Sequence, residues 1–247
     1  MLSYLLEQKN SRDFILPKGI HYSVPNLEEI VSLELYVNGI YEKSTIDFIC
    51  NSIPYCGVFF DVGANIGALC LEVAIARPDI TVNAFETSPS VFNYLKKNKE
   101  QNNTNNLYIF NLAIHEINNI ELPFYSTLNQ NGKGSFSPVF TDIPESVKTI
   151  RLDEFIYNNN ILASFIKVDV EGYAILVFRS LSNFSDLSKT ILLFEFVDWA
   201  ENLAKFEKGA AQAYLLEQGF QLISLSTNSP ILKELIFGND MIIAIKS

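Results

Sequence analysis

A doubly wound α/β sheet, mostly parallel and seven-stranded with an antiparallel last strand, is the fold this chain predicts, and three observations carry it. Short uncharged apolar runs recur along the chain, as expected of strands buried on both faces. Stretches with helical spacing alternate with them and stop at proline or glycine. A glycine loop follows the first apolar run and opens a helix, the arrangement that places a ligand at the carboxyl ends of parallel strands. The 247 residues suffice for one large domain and are short for two.

Residues 1–55 read as an N-terminal cap with helical patches, including Leu27 to Tyr36 and Ile46 to Ile53, the latter ended by Pro54. Residues 56–247 form the main domain. Val58-Phe59-Phe60 is the first strand, and residues 67–77 are a helix stopped by Pro78. Ile80 to Phe85 is the second strand. Ser88-Pro89 starts a helix, with serine as cap and proline at the first helical position. Leu107 to Ile114 is the third strand. Residues 120–152 interrupt the alternation as a hairpin insert, with Asn129 to Ser137 as its loop. Phe165 to Val168, a helix from Gly172 to Leu181, Thr190 to Phe196 and a helix ending near Gly219 resume it. Phe220 to Leu225 and Met241 to Ile245 close the sheet. No helix fits between those two, so the last strand runs antiparallel.

The loop Asp61-Val62-Gly63-Ala64-Asn65-Ile66-Gly67 is where a ligand is expected. Gly63 permits a tight turn and close approach of backbone to ligand, and Gly67 opens a helix whose N–H groups face the crevice. Glu86 ends the second strand, where an acid accepts hydrogen bonds from ribose hydroxyls. The glycine register does not match the dinucleotide fingerprint. S-adenosylmethionine has no pyrophosphate to cradle, and a carboxylate such as Asp61 suits its ammonium group.

Several segments, in order, make the reading specific. Phe60 to Gly67, Ala84 to Pro89, Asn111-Leu112-Ala113-Ile114, Arg151 to Phe155 and Lys167-Val168-Asp169-Val170-Glu171-Gly172 resemble the motifs of FkbM-type methyltransferases. The resemblance spans residues 58 to about 196. It implies a Rossmann-like fold, S-adenosyl-L-methionine as cofactor, cofactor contacts that include Asn65, Thr87, Asn111 and Ala113, and methyl transfer to a hydroxyl of a sugar, glycan or secondary metabolite. The chain departs from the family pattern at Thr87 and at His115, and His115 becomes a candidate on the acceptor side.

A hydroxyl is a weak nucleophile until a base takes its proton. Asp169 sits at the carboxyl end of the fourth strand, with Lys167 on the same strand face and Glu171 opening the next helix. Asp169 is therefore a candidate base or acceptor positioner. A structural pairing of Lys167 with Asp169 explains the same pattern. So does an oxygen-only site for magnesium or calcium shared with Glu171 or Glu195, although no metal is expected. Glu195 ends the fifth strand and faces the crevice. Ser135 and Ser137 lie near the insert's tip, and Phe194, Phe196 and Trp199 form a stripe that reads as core or pocket wall.

Composition narrows the classes. A net charge of −10 lacks the basic surface that nucleic acid requires. No motif for holding a flipped base is present. No apolar run reaches membrane-spanning length, and Met1 to Leu6 is too short for a secretory signal, so a cytoplasmic chain is expected. Cys50, Cys56 and Cys70 match no zinc spacing and read as reduced thiols. A nicotinamide oxidoreductase or a non-catalytic binding module on the same sheet is the alternative.

Overall fold

A computed structural model describes residues 11–128, 133–139, 141–182 and 187–246. The reading of Met1 to Leu6 and part of the expected insert loop therefore lie outside the described residues.

The central sheet has eight strands rather than seven, in the order β12-β11-β13-β10-β9-β3-β4-β5. Five are mutually parallel: β3 (Val58–Val62), β4 (Thr81–Phe85), β5 (Leu107–Phe110), β9 (Phe165–Val168) and β10 (Ile191–Val197). β13 (Asn239–Lys246) inserts antiparallel between β10 and β11 (Phe220–Ser224), as the missing helix requires. The eighth strand is β12 (Pro230–Ile231), an edge pair too short to leave an apolar signature. Chain order runs outward one way from β3 and the other way from β9, so the topological switch lies between those two strands.

The leader is not purely helical. Its described part includes a hairpin, β1 (Arg12–Ile15) and β2 (His21–Val24), closed around Gly19 at φ +80°. Helices α1 (Ile30–Asn38) and α2 (Lys43–Ser52) follow. Leu16, Tyr22, Leu27, Leu35 and Ile49 share one core with Phe59 of β3 and Leu71 of α3 (Ala68–Ala76). Asn98, fully buried in α4 (Pro89–Asn102), joins the parts. Its Oδ1 accepts from the Ser23 N–H, and its amide donates to the Ser23 carbonyl (3.1 Å) and to the Ile66 carbonyl (2.8 Å).

The expected third strand is two strands. After β5 the Asn111 amide donates to the Glu86 and Thr87 carbonyls, and the chain leaves the main sheet. It re-pairs as β6 (Ala113–Ile114) in a small sheet with β7 (Glu121–Phe124) and β8 (Glu145–Ile150). The short helix α5 (Leu152–Asn158) leads to β9. Helix α6 (Ala174–Arg179) is shorter than the expected Gly172 to Leu181, because Glu171 and Gly172 both take positive φ. α7 (Asp198–Leu203) and α8 (Ala210–Glu217) complete the fold. Phe194 and Phe196 are buried in the core, whereas Trp199 is partly exposed with Lys133 over its ring. Cys50, Cys56 and Cys70 are free thiols. Among the described residues no helix is long and apolar enough to cross a membrane.

Candidate active site

Two loops meet over the switch point. The first leaves β3 at Gly63, whose N–H and that of Ala64 donate to the Phe85 carbonyl. Gly63 has φ +87°, and a Cβ there would stand 1.8 Å from the carbonyl oxygen of Asp169. The close approach this glycine permits is thus to the protein's own backbone, not only to a ligand. Asn65 turns the chain in the left-handed region, a conformation asparagine tolerates, and its Oδ1 accepts from the Ile66 N–H at 2.7 Å. Gly67 caps α3.

The second loop follows β4 and carries Glu86. One carboxylate oxygen accepts from the Asn65 N–H and the other from the Ser88 N–H, each at 2.8 Å. Glu86 is therefore clamped between both loops. Burial pushes its carboxyl up to about 7, against the pull of those two N–H groups.

A cavity of about 220 Å³ opens above these loops. Asp61, Gly63, Asn65, Glu86 and Thr87 line it, as do Lys167, Asp169, Glu171 and Glu195. Gly67, Asn111, Ala113 and His115 do not. Leu112 and Ile114 line the cavity in place of Asn111 and Ala113, a one-residue slip that exchanges strand faces. His115 is occupied elsewhere: its Nδ1 accepts from the Ile117 N–H at 3.0 Å and its ring packs on Phe136. Burial lowers its pKa, so it stays neutral. Ser135 bonds the Tyr173 hydroxyl and accepts from the Ser137 N–H; neither serine reaches the cavity.

Sequence reasoning missed the remaining walls. Glu29, Ile30, Val31 and Tyr41 come from the leader, and Phe124, Ser126, Lys133 and Phe136 from the insert. Tyr173 directly follows the Lys167-to-Gly172 segment, a polar aromatic at a signature's edge that was legible as a wall residue.

Lys167 is the cation at the floor. Its Nζ lies 3.0 Å from Asp169 Oδ2 and 3.8 Å from Asp61 Oδ1. Burial opposes its charge, but Asp169, Asp61 and Glu42 outweigh that and hold it above its usual range. Asp61 is 1% exposed, and among the described residues neither of its oxygens has a hydrogen-bond partner; burial raises it to about 6. The repulsion of Asp169, then burial, raises Glu195 to about 9, which favours its protonated form. Glu171 does not cap a helix. It is held at φ +47° in the turn before α6, and burial raises it to about 8. Among the described residues no cluster of histidine, cysteine or carboxylate ligands has metal-holding geometry.

Fold and site define an α/β domain with a strand-end carboxylate and a glycine loop around one acidic cavity at the switch point, where folds of this kind bind their ligands. A family model described as the methyltransferase FkbM domain matches residues 61–222, and the chain belongs to that family. It is an S-adenosylmethionine-dependent methyltransferase. Solved structures similar to it include a precorrin-6y C5,15-methyltransferase from Geobacter metallireducens (11% identity, 84% of this chain and 93% of that chain, TM-score 0.47). A TehB-like methyltransferase from Corynebacterium glutamicum (10% identity, 87% and 94%, TM-score 0.48) is another. A third is an rRNA methylase from Streptococcus thermophilus (10% identity, 82% and 93%, TM-score 0.47). No curated protein matches the chain by sequence.

Proposed function

We propose that this chain methylates a hydroxyl oxygen of an uncharged acceptor, a sugar, glycan or secondary metabolite, with Asp169 as the group that receives the acceptor's proton. The observation that carries this is Asp169 itself. It lines the cavity, 23% exposed in its side chain, at the end of β9, held by Lys167 at 3.0 Å, with Glu195 lining the same cavity. A carboxylate so fixed presents a lone pair to a hydroxyl without reorganising, and general-base help of this kind is worth about 10² to 10⁴ in rate.

The residues fit the cofactor. Asp61 offers two buried oxygens that lack hydrogen-bond donors, a match for an ammonium group. Glu86, with both oxygens already oriented by N–H groups, keeps free lone pairs for the two ribose hydroxyls. Thr87, Leu112 and Ile114 flank it as the wall for the base. When bound, the cofactor supplies the activated methyl group. The chain's part is to hold the acceptor oxygen in line and remove its proton.

The acceptor's charge follows from the walls. Six acidic side chains (Glu29, Asp61, Glu86, Asp169, Glu171, Glu195) face the cavity; with Glu171 and Glu195 raised to about 8 and 9 and left out of the charge count, the other four still outnumber the two lysines, Lys133 and Lys167. Such a lining offers many acceptors to hydroxyl donors and repels phosphate, which supports a glycan or metabolite over a nucleic acid.

Two measurements test the reading. S-adenosylhomocysteine at about 100 times its Kd should raise the melting temperature by roughly 5 to 10 °C, and NAD should not. Transfer of labelled methyl to a panel of neutral glycosides and hydroxylated metabolites should fall about 10² to 10⁴-fold in Asp169→Asn while cofactor affinity stays within a few-fold. Unchanged turnover in that variant removes Asp169 from the chemistry.

A further inference from the structure

Glu145 lies at the start of β8, outside the cavity lining. Three hydroxyls converge on its Oε2: Ser88 Oγ at 2.8 Å, Ser126 Oγ at 2.9 Å and Ser90 Oγ at 3.3 Å. Its Oε1 accepts from the Ser90 N–H at 3.2 Å, at the amino end of the fourteen-residue helix α4, where a negative charge is favoured. The network joins two elements far apart in sequence. Ser126 belongs to the insert and lines the cavity; Ser88 belongs to the loop after β4 and also lines it. Ser88 in turn donates its N–H to Glu86 and accepts from the Val91 N–H as the helix cap.

We propose that Glu145 is a positioning residue for the methyl donor: by tying Ser88 and Ser90 to Ser126, it fixes the loop that orients Glu86 and makes donor affinity depend on the insert. The inference rests on Glu86 being the ribose anchor. Glu145 touches no ligand. It acts because a Glu86 held ready spares the ordering of its loop on binding, and the ordering of one or two side chains is worth about tenfold in affinity.

Calorimetric titration of the full chain with S-adenosylhomocysteine tests it, with a melting curve for each variant. Glu145→Ala should weaken binding about tenfold, and Ser126→Ala, which removes one of the insert's two ties to the network and leaves Glu145 on Ser88 and Ser90, about threefold. Glu145→Gln should recover most of the affinity, because its amide oxygen still accepts from the serines. Ser146→Ala, on the same strand but bonded outward to Glu121, should leave affinity unchanged. A merely structural Glu145 lowers the melting temperature and leaves the Kd of the folded protein as in wild type, which overturns the proposal. Should Glu145→Ala fail to fold, Ser126→Ala and Ser90→Ala decide, and wild-type affinity in both overturns it. If Glu86→Ala binds as wild type does, the ribose reading fails. If Glu86→Ala loses binding while the Glu145 and Ser126 variants keep it, only the present inference falls.

Discussion

Replacing Gly63 with alanine separates two explanations of the same glycine. If the position is glycine so that a ligand can approach, Gly63→Ala should fold normally and lose cofactor affinity. The structure gives a different account. The added carbon would stand 1.8 Å from the Asp169 carbonyl oxygen and 2.8 Å from its carbonyl carbon, both backbone atoms, and the residue would keep φ +87°. A positive φ costs an ordinary residue about 1 to 3 kcal/mol. Overpacking against backbone that must shift by more than an ångström adds about 1 to 3 kcal/mol. A sum of about 4 kcal/mol lowers the melting temperature of a chain this long by roughly 8 to 16 °C. Thermal unfolding followed by circular dichroism measures it directly, and the same samples titrated with S-adenosylhomocysteine report the site. A melting temperature within about 2 °C of wild type, with affinity lost, would refute the backbone-crossing argument and return Gly63 to the ligand.

Three further variants probe the charged floor. Glu195 carries a folded pKa of about 9 against an ordinary 4.5, so its contribution to stability is complete below about 4.5 and disappears as pH rises through about 9. Glu195→Gln should therefore melt near wild type at pH 5 and clearly above it at pH 9; equal destabilisation at both would show that the carboxyl's pKa is not raised in the folded chain. Lys167→Met leaves the buried Asp61 and the half-buried Asp169 without their cation, a loss of about 3 to 5 kcal/mol and roughly 10 °C in melting temperature. The double variant Lys167→Met with Asp61→Asn should recover part of that loss, since it removes one of the stranded charges.

The parallel strands were legible because burial on both faces writes a plain signal: Phe59-Phe60, Phe165-Ile166 and Leu192-Leu193-Phe194 are apolar without alternation. Glu86, Asp169 and Glu195 were legible because an acid at the carboxyl end of such a strand has few places to point other than the crevice. Leu112 and Ile114, one residue on from Asn111 and Ala113, line the cavity, and a two-residue strand such as β6 carries no period by which sequence could set its faces. The β1–β2 hairpin escaped notice since Arg12 to Ile15 alternates between intermediate and exposed positions with no fully buried residue. Tyr41, Ser126 and Glu145 reach the site only through tertiary packing, and no local pattern announces a serine that meets a glutamate 57 positions away. The role of Gly63 depends on a backbone atom more than a hundred positions downstream, which sequence reading had no means to place.

Asn98 sets a rule for anyone who recombines this domain with a relative. Its one amide reads the Ser23 backbone on one side and the Ile66 carbonyl of the donor loop on the other, with no exposure to water. A fragment begun at residue 56 would retain the glycine loop but strand half of that amide, and would remove Tyr22, Leu27 and Leu35 from the core they share with α3. The hairpin and the donor loop are therefore a single unit of exchange. A chimera that swaps the catalytic sheet has to carry the leader with it, and cofactor affinity is the property that reports a mismatched pair.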